Sequence, residues 1–224
     1  MSRVLIAGDI HAPCMMQEYP DFLWACYEEW ECDRVVFIGD LVDNCSLSFH
    51  LKKPHQKDPT IEFEKTMEQV STLVEYFPEA DWLLGNHDVL PLRWCEQVGI
   101  PEEYMKSPGE IWRTGDWVVH PRYHDLVIDG VIYRHGDKGK GGRMAAGANA
   151  RAEFCSVVQG HHHSQAGVEF IANQRDRVFG MQVGCGTDWK HHQQEYGVKY
   201  SFKPILGCGV VIDGTTPIFE PMLL

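Results

Sequence analysis

The sequence contains no long hydrophobic run. None of its apolar segments approaches the roughly 20 residues that a membrane-spanning helix needs. The first apolar segment, residues 3–8, is followed at once by Asp9 and His11 and is too short for the core of a secretory signal peptide. These absences favour a protein without a membrane segment, and we expect a cytoplasmic location.

Paired cysteine motifs are also missing. Eight cysteines are scattered along the 224 residues, and no two of them form a C-x-x-C pair. We therefore expect the thiols to be reduced and mostly buried, and this expectation agrees with a cytoplasmic location.

Positive charge is scarce. The chain has 20 Lys and Arg residues against 32 Asp and Glu residues, so its formal net charge is −12. Such a balance provides no extended basic surface for a long nucleic-acid duplex. If the protein attracts phosphate, a local site must do so.

The first half of the chain alternates strands and helices. Residues 3–8, 34–38 and 81–84 are compact apolar runs typical of buried parallel strands, and residues 17–30 and 59–77 have apolar side chains at helical spacing. This order predicts β-α-β units. A further helix is predicted at residues 89–98, and residues 100–119 look irregular.

The second half is mainly β. Residues 126–134 and 206–219 each carry an Asp-Gly pair near the middle and are predicted hairpins. Strands are predicted at residues 156–159, 168–172 and 178–183, and a helix at residues 144–154. Because no linker separates the halves, we expect one α/β domain, residues 1–224, with two mixed sheets packed face to face and helices outside.

Five short blocks of possible metal ligands lie along the chain. They are Asp9-Ile10-His11, Gly39-Asp40-Leu41-Val42-Asp43, Gly85-Asn86-His87-Asp88, His135-Gly136-Asp137 and Gly160-His161-His162-His163. Each block follows a predicted strand, so its donors should meet at one edge of a sheet. In an extended chain residues i and i+2 face the same way, so Asp9 should point with His11, and His161 with His163. Any one block could be a turn or a helix cap, but the ordered set predicts a site for two metal ions.

The donors in the blocks are carboxylate and amide oxygens and imidazole nitrogens. This mixture without cysteine suits two divalent ions, with Mn²⁺ favoured and Fe, Zn²⁺ or Ni²⁺ as alternatives. The family resemblance described next implies that only two of the aspartates, Asp9 and Asp40, are ligands, and two such ions would bring four positive charges against these two carboxylates. The pocket should therefore be positive inside an acidic protein, which suits a phosphate ester.

The ordered blocks resemble the signature of the calcineurin-like metallophosphoesterases, D-x-H, G-D-x-x-D, G-N-H-[DE], a lone His and G-H-x-H, from Asp9 to His163. The resemblance implies a four-layer α/β/β/α sandwich with two metals at the carboxyl ends of the strands. It also implies two ligand sets that share Asp40 as a bridge: Asp9, His11, Asp40 and His163 for the first metal, and Asp40, Asn86, His135 and His161 for the second.

The same resemblance makes His87 the catalytic histidine, which stabilises the phosphoryl group or protonates the leaving oxygen while a metal-bridging hydroxide attacks phosphorus in line. We expect Asp88 to orient His87 through its other ring nitrogen. Asp43 and Asp137 are expected to accept hydrogen bonds from metal-bound histidines.

The sequence departs from one branch of that superfamily. Protein serine/threonine phosphatases carry Arg after the second Asp of the second block and again after the third block, where this chain has Asn44 and Val89. The departure favours a phosphodiesterase acting on a nucleotide or nucleic-acid substrate. The alternatives are a phosphomonoesterase or protein phosphatase, and a catalytically inactive binding module. The presence of all seven ligand positions and His87 favours an enzyme over the binding module.

A basic glycine-rich loop follows His135. Lys138, Lys140 and Arg143 could supply charge to a substrate phosphate while the glycines let backbone amides approach it. The alternative is a flexible solvated loop. We expect the partner to be a small phosphorylated substrate or a nucleic-acid end, with no obligatory protein partner.

Overall fold

A computed structural model describes residues 2–49, 52–53, 56, 58–142, 144–191 and 201–223. Its strands are β1 (Arg3–Ala7), β2 (Arg34–Phe37), β3 (Asp81–Leu83), β4 (Val118–His120), β5 (Leu126–Ile128), β6 (Val131–Arg134), β7 (Ser156–Gln159), β8 (Ala166–Ala172), β9 (Arg177–Val183), β10 (Gly207–Ile212) and β11 (Thr216–Pro221). Its α-helices are α1 (Tyr19–Glu29), α2 (Pro59–Tyr76), α3 (Leu90–Gln97), α4 (Pro108–Trp112) and α5 (Ala145–Glu153).

The strands form two mixed sheets, as predicted. The first has the order β11-β10-β1-β2-β3-β4 and the second the order β5-β6-β7-β9-β8. In the first sheet β1 to β4 are parallel, and in the second β6, β7 and β9 are parallel. Parallel pairing brings the carboxyl ends of these strands to a common edge of each sheet.

Four layers follow from the apolar faces of the sheets. One core cluster lies between the sheets and includes Ile6, Ile38, Tyr133 and Met181. The other face of the first sheet packs under α1 and α2, and α5 packs against β7, β8 and β9 on the outside of the second sheet. The predicted helix-sheet-sheet-helix sandwich is confirmed.

The observed elements lie within about two residues of the predicted ones, except in the segment that was predicted to be irregular. That segment contains α4, whose capping box joins Ser107 and Glu110, and β4, which pairs in parallel with β3. Both are too short to show a periodic pattern in the sequence. The eight cysteines form no disulfide among the described residues, and six of them are buried, as expected. Among the described residues no helix is long and apolar enough to span a membrane.

Candidate metal centre

The five blocks do meet at the carboxyl ends of strands. Asp9 follows β1, Asp40 follows β2, Asn86 follows β3, His135 comes directly after β6, and His161 follows β7. The loops that carry them therefore gather at the same end of the two sheets.

The backbone of these loops is not extended. The φ angles of Asp9 and His11 are both 52°, that of Asp40 is 49° and that of His161 is 70°. The strand alternation expected for Asp9 with His11 and for His161 with His163 is therefore wrong, although their side chains still reach the site. Non-glycine residues seldom adopt such left-handed conformations, which concentrate at functional sites.

Three overlapping groups of possible ligand atoms lie in the site. Asp9, His11 and His163 form the first group, and Asp40, His135 and His161 form the second; a third group, His11, Asp40 and His87, shares a residue with each of them. Nε2 of His163 lies 3.1 Å from Oδ1 of Asp9 and 3.1 Å from Nε2 of His11.

Asp40 lies between the two groups. Its Oδ2 atom is 3.3 Å from Nε2 of His135 and 3.7 Å from Nε2 of His11. Asn86 joins the second group, since its Oδ1 atom is 3.2 Å from Nε2 of His135. The structure thus brings together all seven residues predicted as metal ligands.

The ring orientations fit a cation. Nδ1 of His135 donates to the carbonyl oxygen of Ile38 at 3.0 Å, so Nε2 is the ring nitrogen that faces the oxygens of Asn86 and Asp40. Nδ1 of His11 likewise faces Oδ1 of Asp43 at 2.9 Å. Acceptor atoms that face one another repel unless a positive charge, either a proton or a metal ion, lies among them.

The pKa values of several ionisable side chains in the site are strongly shifted. Burial would raise the pKa of Asp40, but His135 and His87 outweigh it and hold that pKa well below its usual value. Burial would lower the pKa of His135, but Asp40 and Asp9 raise it to about 10. Burial and His135 together lower the pKa of His161 to about 4, so this ring is neutral at pH 7 and has a lone pair for a ligand bond.

His87 lies at the solvent side of the centre, with 23% of its side chain exposed. Its backbone N–H donates to Oδ1 of Asp40 at 2.7 Å, and its Nδ1 donates to the carbonyl oxygen of Asp43 at 2.7 Å. The ring nitrogen left for a substrate is therefore Nε2. Burial alone would lower the pKa of His87, but Asp40 and Asp43 raise it to about 10.

Asp88 does not orient His87, contrary to expectation. Its carboxylate accepts the backbone N–H groups of Gly85 at 2.7 Å and Val42 at 3.0 Å, so it joins the second and third blocks. Burial and the charge of Asp40 raise its pKa to about 7. Asp43 performs the orienting role instead.

Asp137 also differs from expectation. Its Oδ2 atom accepts from Nε of Arg122 at 2.7 Å, and Nδ1 of His135 is already bound by the carbonyl oxygen of Ile38. Of the two acids expected to support histidines, only Asp43 does so, because it alone lies against their ring nitrogens.

The basic loop directly follows His135 in the chain. Nζ of Lys138 is 3.1 Å from Oδ2 of Asp125, so its charge is already paired. Lys140 is exposed, and both its backbone N–H and carbonyl groups are bound by Asn149. Arg143 lies outside the described residues.

Asn44 also contacts His87, although none of the sequence motifs indicated this role. It has a φ of 48°, and its Nδ2 atom donates to the carbonyl oxygen of His87 at 3.0 Å. Asn tolerates this left-handed conformation better than most residues, which was the only local signal.

Comparison with known proteins agrees with this centre. The family model described as calcineurin-like phosphoesterase matches residues 2–200. No curated protein matches the sequence.

Solved structures with a similar fold include a phosphoesterase and a sorting protein. YfcE, a phosphoesterase from E. coli, is 12% identical with a TM-score of 0.42, covering 94% of this chain and 88% of that chain. Vacuolar Protein Sorting 29 from Cryptosporidium parvum is 14% identical with a TM-score of 0.45, covering 99% of this chain and 97% of that chain. Because the family model spans most of the sequence, this chain belongs to the calcineurin-like phosphoesterase family.

Proposed function

We propose that the protein is a dinuclear metal-dependent phosphoesterase that hydrolyses a small phosphodiester, such as a nucleotide or a nucleic-acid end. One observation carries the proposal: the Asp40 carboxylate lies between two clusters of ligand atoms, and His87 lies beside it with a partly exposed side chain.

The donor sets assign the residues to two ions. Asp9, His11, Asp40 and His163 would hold the first, and Asp40, Asn86, His135 and His161 the second. When bound, divalent ions supply Lewis acidity toward phosphoryl oxygens and activate water. Mixed imidazole and oxygen donors favour Mn²⁺, with Fe, Zn²⁺ or Ni²⁺ as alternatives.

His87 would act on the substrate as a hydrogen-bond donor and acid. Its Nδ1 proton is engaged by Asp43, and in the metal-free protein the carboxylates of Asp40 and Asp43 raise its pKa to about 10, which favours a protonated Nε2. A protonated Nε2 can donate to a phosphoryl oxygen and then release its proton to the leaving oxygen.

The residues around His87 favour a diester over a monoester. The side chain of Asn44 is turned to the carbonyl oxygen of His87, and Val89 is buried, so neither position offers a cation to a second phosphate charge. A phosphodiester carries one negative charge and needs less compensation than a monoester dianion. The net charge of −12 also disfavours long duplex substrates.

A substrate and metal panel tests the function. The purified protein would be assayed with bis-p-nitrophenyl phosphate, p-nitrophenyl phosphate, cyclic nucleotides and single-stranded DNA in the presence of Mn²⁺, Zn²⁺ or Mg²⁺. We expect metal-dependent turnover, with the diester hydrolysed faster than the monoester.

Two variants complete that panel. His87→Ala should lose activity, whereas His124→Ala, which removes an exposed histidine, should retain it. Faster hydrolysis of the monoester would overturn the diester assignment. Absence of metal-dependent turnover with every substrate would overturn the enzyme and favour a binding module on the same fold.

A further inference from the structure

Three buried amide side chains lie behind the second ligand group. Asn149 is on α5, Gln159 ends β7 and Gln182 is in β9, and their exposed fractions are 2%, 0% and 5%. Burying neutral amides is unfavourable unless they are hydrogen-bonded. Their contacts therefore indicate what they hold in place.

Asn149 fixes the loop that follows His135. Its Oδ1 atom accepts from the backbone N–H of Lys140 at 2.7 Å, and its Nδ2 atom donates to the carbonyl oxygen of Lys140 at 3.2 Å. Gly139 allows this approach, because a Cβ atom there would lie 2.7 Å from Oδ1 of Asn149 and its φ is +88°. The Asn149 side chain thus satisfies both backbone groups of Lys140, in the loop that follows His135.

Gln182 fixes the other ligand loop. Its Nε2 atom donates to the carbonyl oxygen of Gly160, the residue before His161. The N–H of Gly160 in turn donates to the carbonyl oxygen of His135 at 2.8 Å. Gly160 therefore joins the loops of two candidate ligands of the second metal.

Gln159 hydrogen-bonds to one of the other two amides and lies beside the second across the sheet. Its Oε1 atom accepts from Nδ2 of Asn149 at 2.9 Å, and it is the register partner of Gln182 across β7 and β9. Nε2 of Gln159 and Oε1 of Gln182 have no hydrogen-bond partner among the described residues. One is a donor and the other an acceptor, so the two neighbouring amides are chemically complementary.

We propose that Asn149, Gln159 and Gln182 form a positioning network that holds the His135 and His161 loops at the spacing required by the second metal. The inference rests on the proposed function, since it assigns the network to one of the two metals. Among the described residues these amides hydrogen-bond to backbone groups and to one another but to no ligand atom, so they act through the loops. Residues that orient ligands from behind typically contribute 10- to 100-fold to metal affinity or activity.

Titration calorimetry of the metal-free protein with MnCl₂ tests the network. The wild-type protein should bind two Mn²⁺ ions. Asn149→Ala and Gln182→Met should each weaken one of the two binding events by about 10- to 100-fold and leave the other unchanged. Asn173→Ala is the matched control, because Asn173 caps an exposed turn between β8 and β9 through the N–H groups of Arg175 and Asp176.

The outcomes separate the two proposals. If the wild-type protein binds neither Mn²⁺ nor any of the alternative metals named above, the proposed function is overturned and the network with it. The network alone would be overturned if both variants are folded and bind two Mn²⁺ ions with the affinities of the wild-type protein. It would also be overturned if the variants weaken the two Mn²⁺ binding events equally. If circular dichroism shows that Asn149→Ala is unfolded, Gln182→Met and Asn149→Asp, which keeps the acceptor for Lys140 but removes the donor, decide the question in the same titration.

Discussion

Asp43 holds His87 through two atoms. Nδ1 of His87 lies 2.7 Å from the backbone carbonyl oxygen of Asp43 and 3.3 Å from its Oδ1 atom. The same Oδ1 atom lies 2.9 Å from Nδ1 of His11. One acid therefore orients a candidate metal ligand and the candidate catalytic histidine through their Nδ1 atoms, which leaves Nε2 of His87 as the ring nitrogen available to a substrate.

We predict that Asp43→Asn moves the alkaline limb of the kcat profile to lower pH. Asp40 and Asp43 raise the pKa of His87, so loss of one carboxylate lowers it, by about one to three units for a charge this close. If protonated His87 is the acid, activity is present below its pKa and lost as pH rises through it.

The measurement is kcat for a diester between pH 6 and 11 in the wild-type and variant proteins. Asp176→Asn, in an exposed turn, should leave the limb in place. A limb that stays unchanged in Asp43→Asn would show that His87 is not the titrating acid.

A second prediction concerns the contact between the second and third blocks. A Cβ atom at Gly85 would lie 2.5 Å from the backbone nitrogen of Asp40 and would also collide with Oδ1 of Asp40. Gly85→Ala should displace Asp40 and so weaken both metals, and a displacement of about 1 Å can cost roughly 100-fold in rate. Mn²⁺ titration and kcat measure the effect.

Gly99→Ala is the comparison variant for this test. Gly99 has a φ of +78° and open space around its Cβ position, so alanine there is strained but meets no neighbour. Stability should fall slightly while metal affinity and kcat stay at wild-type values. Equal metal affinity in Gly85→Ala would contradict a role for Asp40 in holding either ion.

The sequence predicted which residues meet, but not how. Apolar runs that end in Asp9 or Asp40 marked strand ends, and parallel strands bring their ends together whatever the loops do. The left-handed backbone at Asp9, His11 and His161 left no pattern in the sequence. The convergence was therefore predictable, whereas the alternation argument used for it was not correct.

Partners across the centre were harder to predict. Asp88 is next to His87 in sequence but turns to the N–H groups of Gly85 and Val42, while Asp43, from another block, reaches the ring. The amides of Asn149 and Gln182 belong to no motif, because their partners are backbone atoms of other segments. Such contacts depend on tertiary geometry rather than on residue spacing.

A third prediction compares the effects of the two lysines of the basic loop, Lys138 and Lys140, on substrate binding. Lys140 has an exposed side chain on a loop fixed by Asn149, whereas the charge of Lys138 is paired with Asp125. If the loop contacts substrate, Lys140→Ala should raise KM about 3- to 5-fold with little change in kcat, because an exposed charge contributes about 1 kcal/mol or less. Lys138→Ala should have a smaller effect, because its charge is already paired with Asp125. Steady-state kinetics at low salt measure both, and unchanged KM in Lys140→Ala would remove the loop from the substrate site.

The last prediction concerns the stability of the metal-free protein. Burial opposes the proton on His87 and on His135, but the surrounding carboxylates raise both folded pKa values to about 10, above the ordinary value of 6.5. A group whose pKa is raised in the folded state stabilises it fully below its unfolded pKa and loses that contribution as pH rises through its folded pKa. The free energy of unfolding of metal-free protein should therefore fall as pH rises from about 6.5 toward 10.

Mn²⁺ should offset that loss, because a bound metal ion supplies, next to the carboxylates, the positive charge that the histidine protons supply at lower pH. Since the ligand His135 must be deprotonated to bind and its pKa in the metal-free protein is about 10, the increase in unfolding free energy produced by a fixed Mn²⁺ concentration should grow as pH rises toward about 10. Urea titrations of chelator-treated protein, with and without MnCl₂, measure both trends. In Asp40→Asn the carboxylate that raises both histidine pKa values is absent, so the pH dependence and the Mn²⁺ increment should both shrink. An increment that persists in this variant would place the metal elsewhere in the protein.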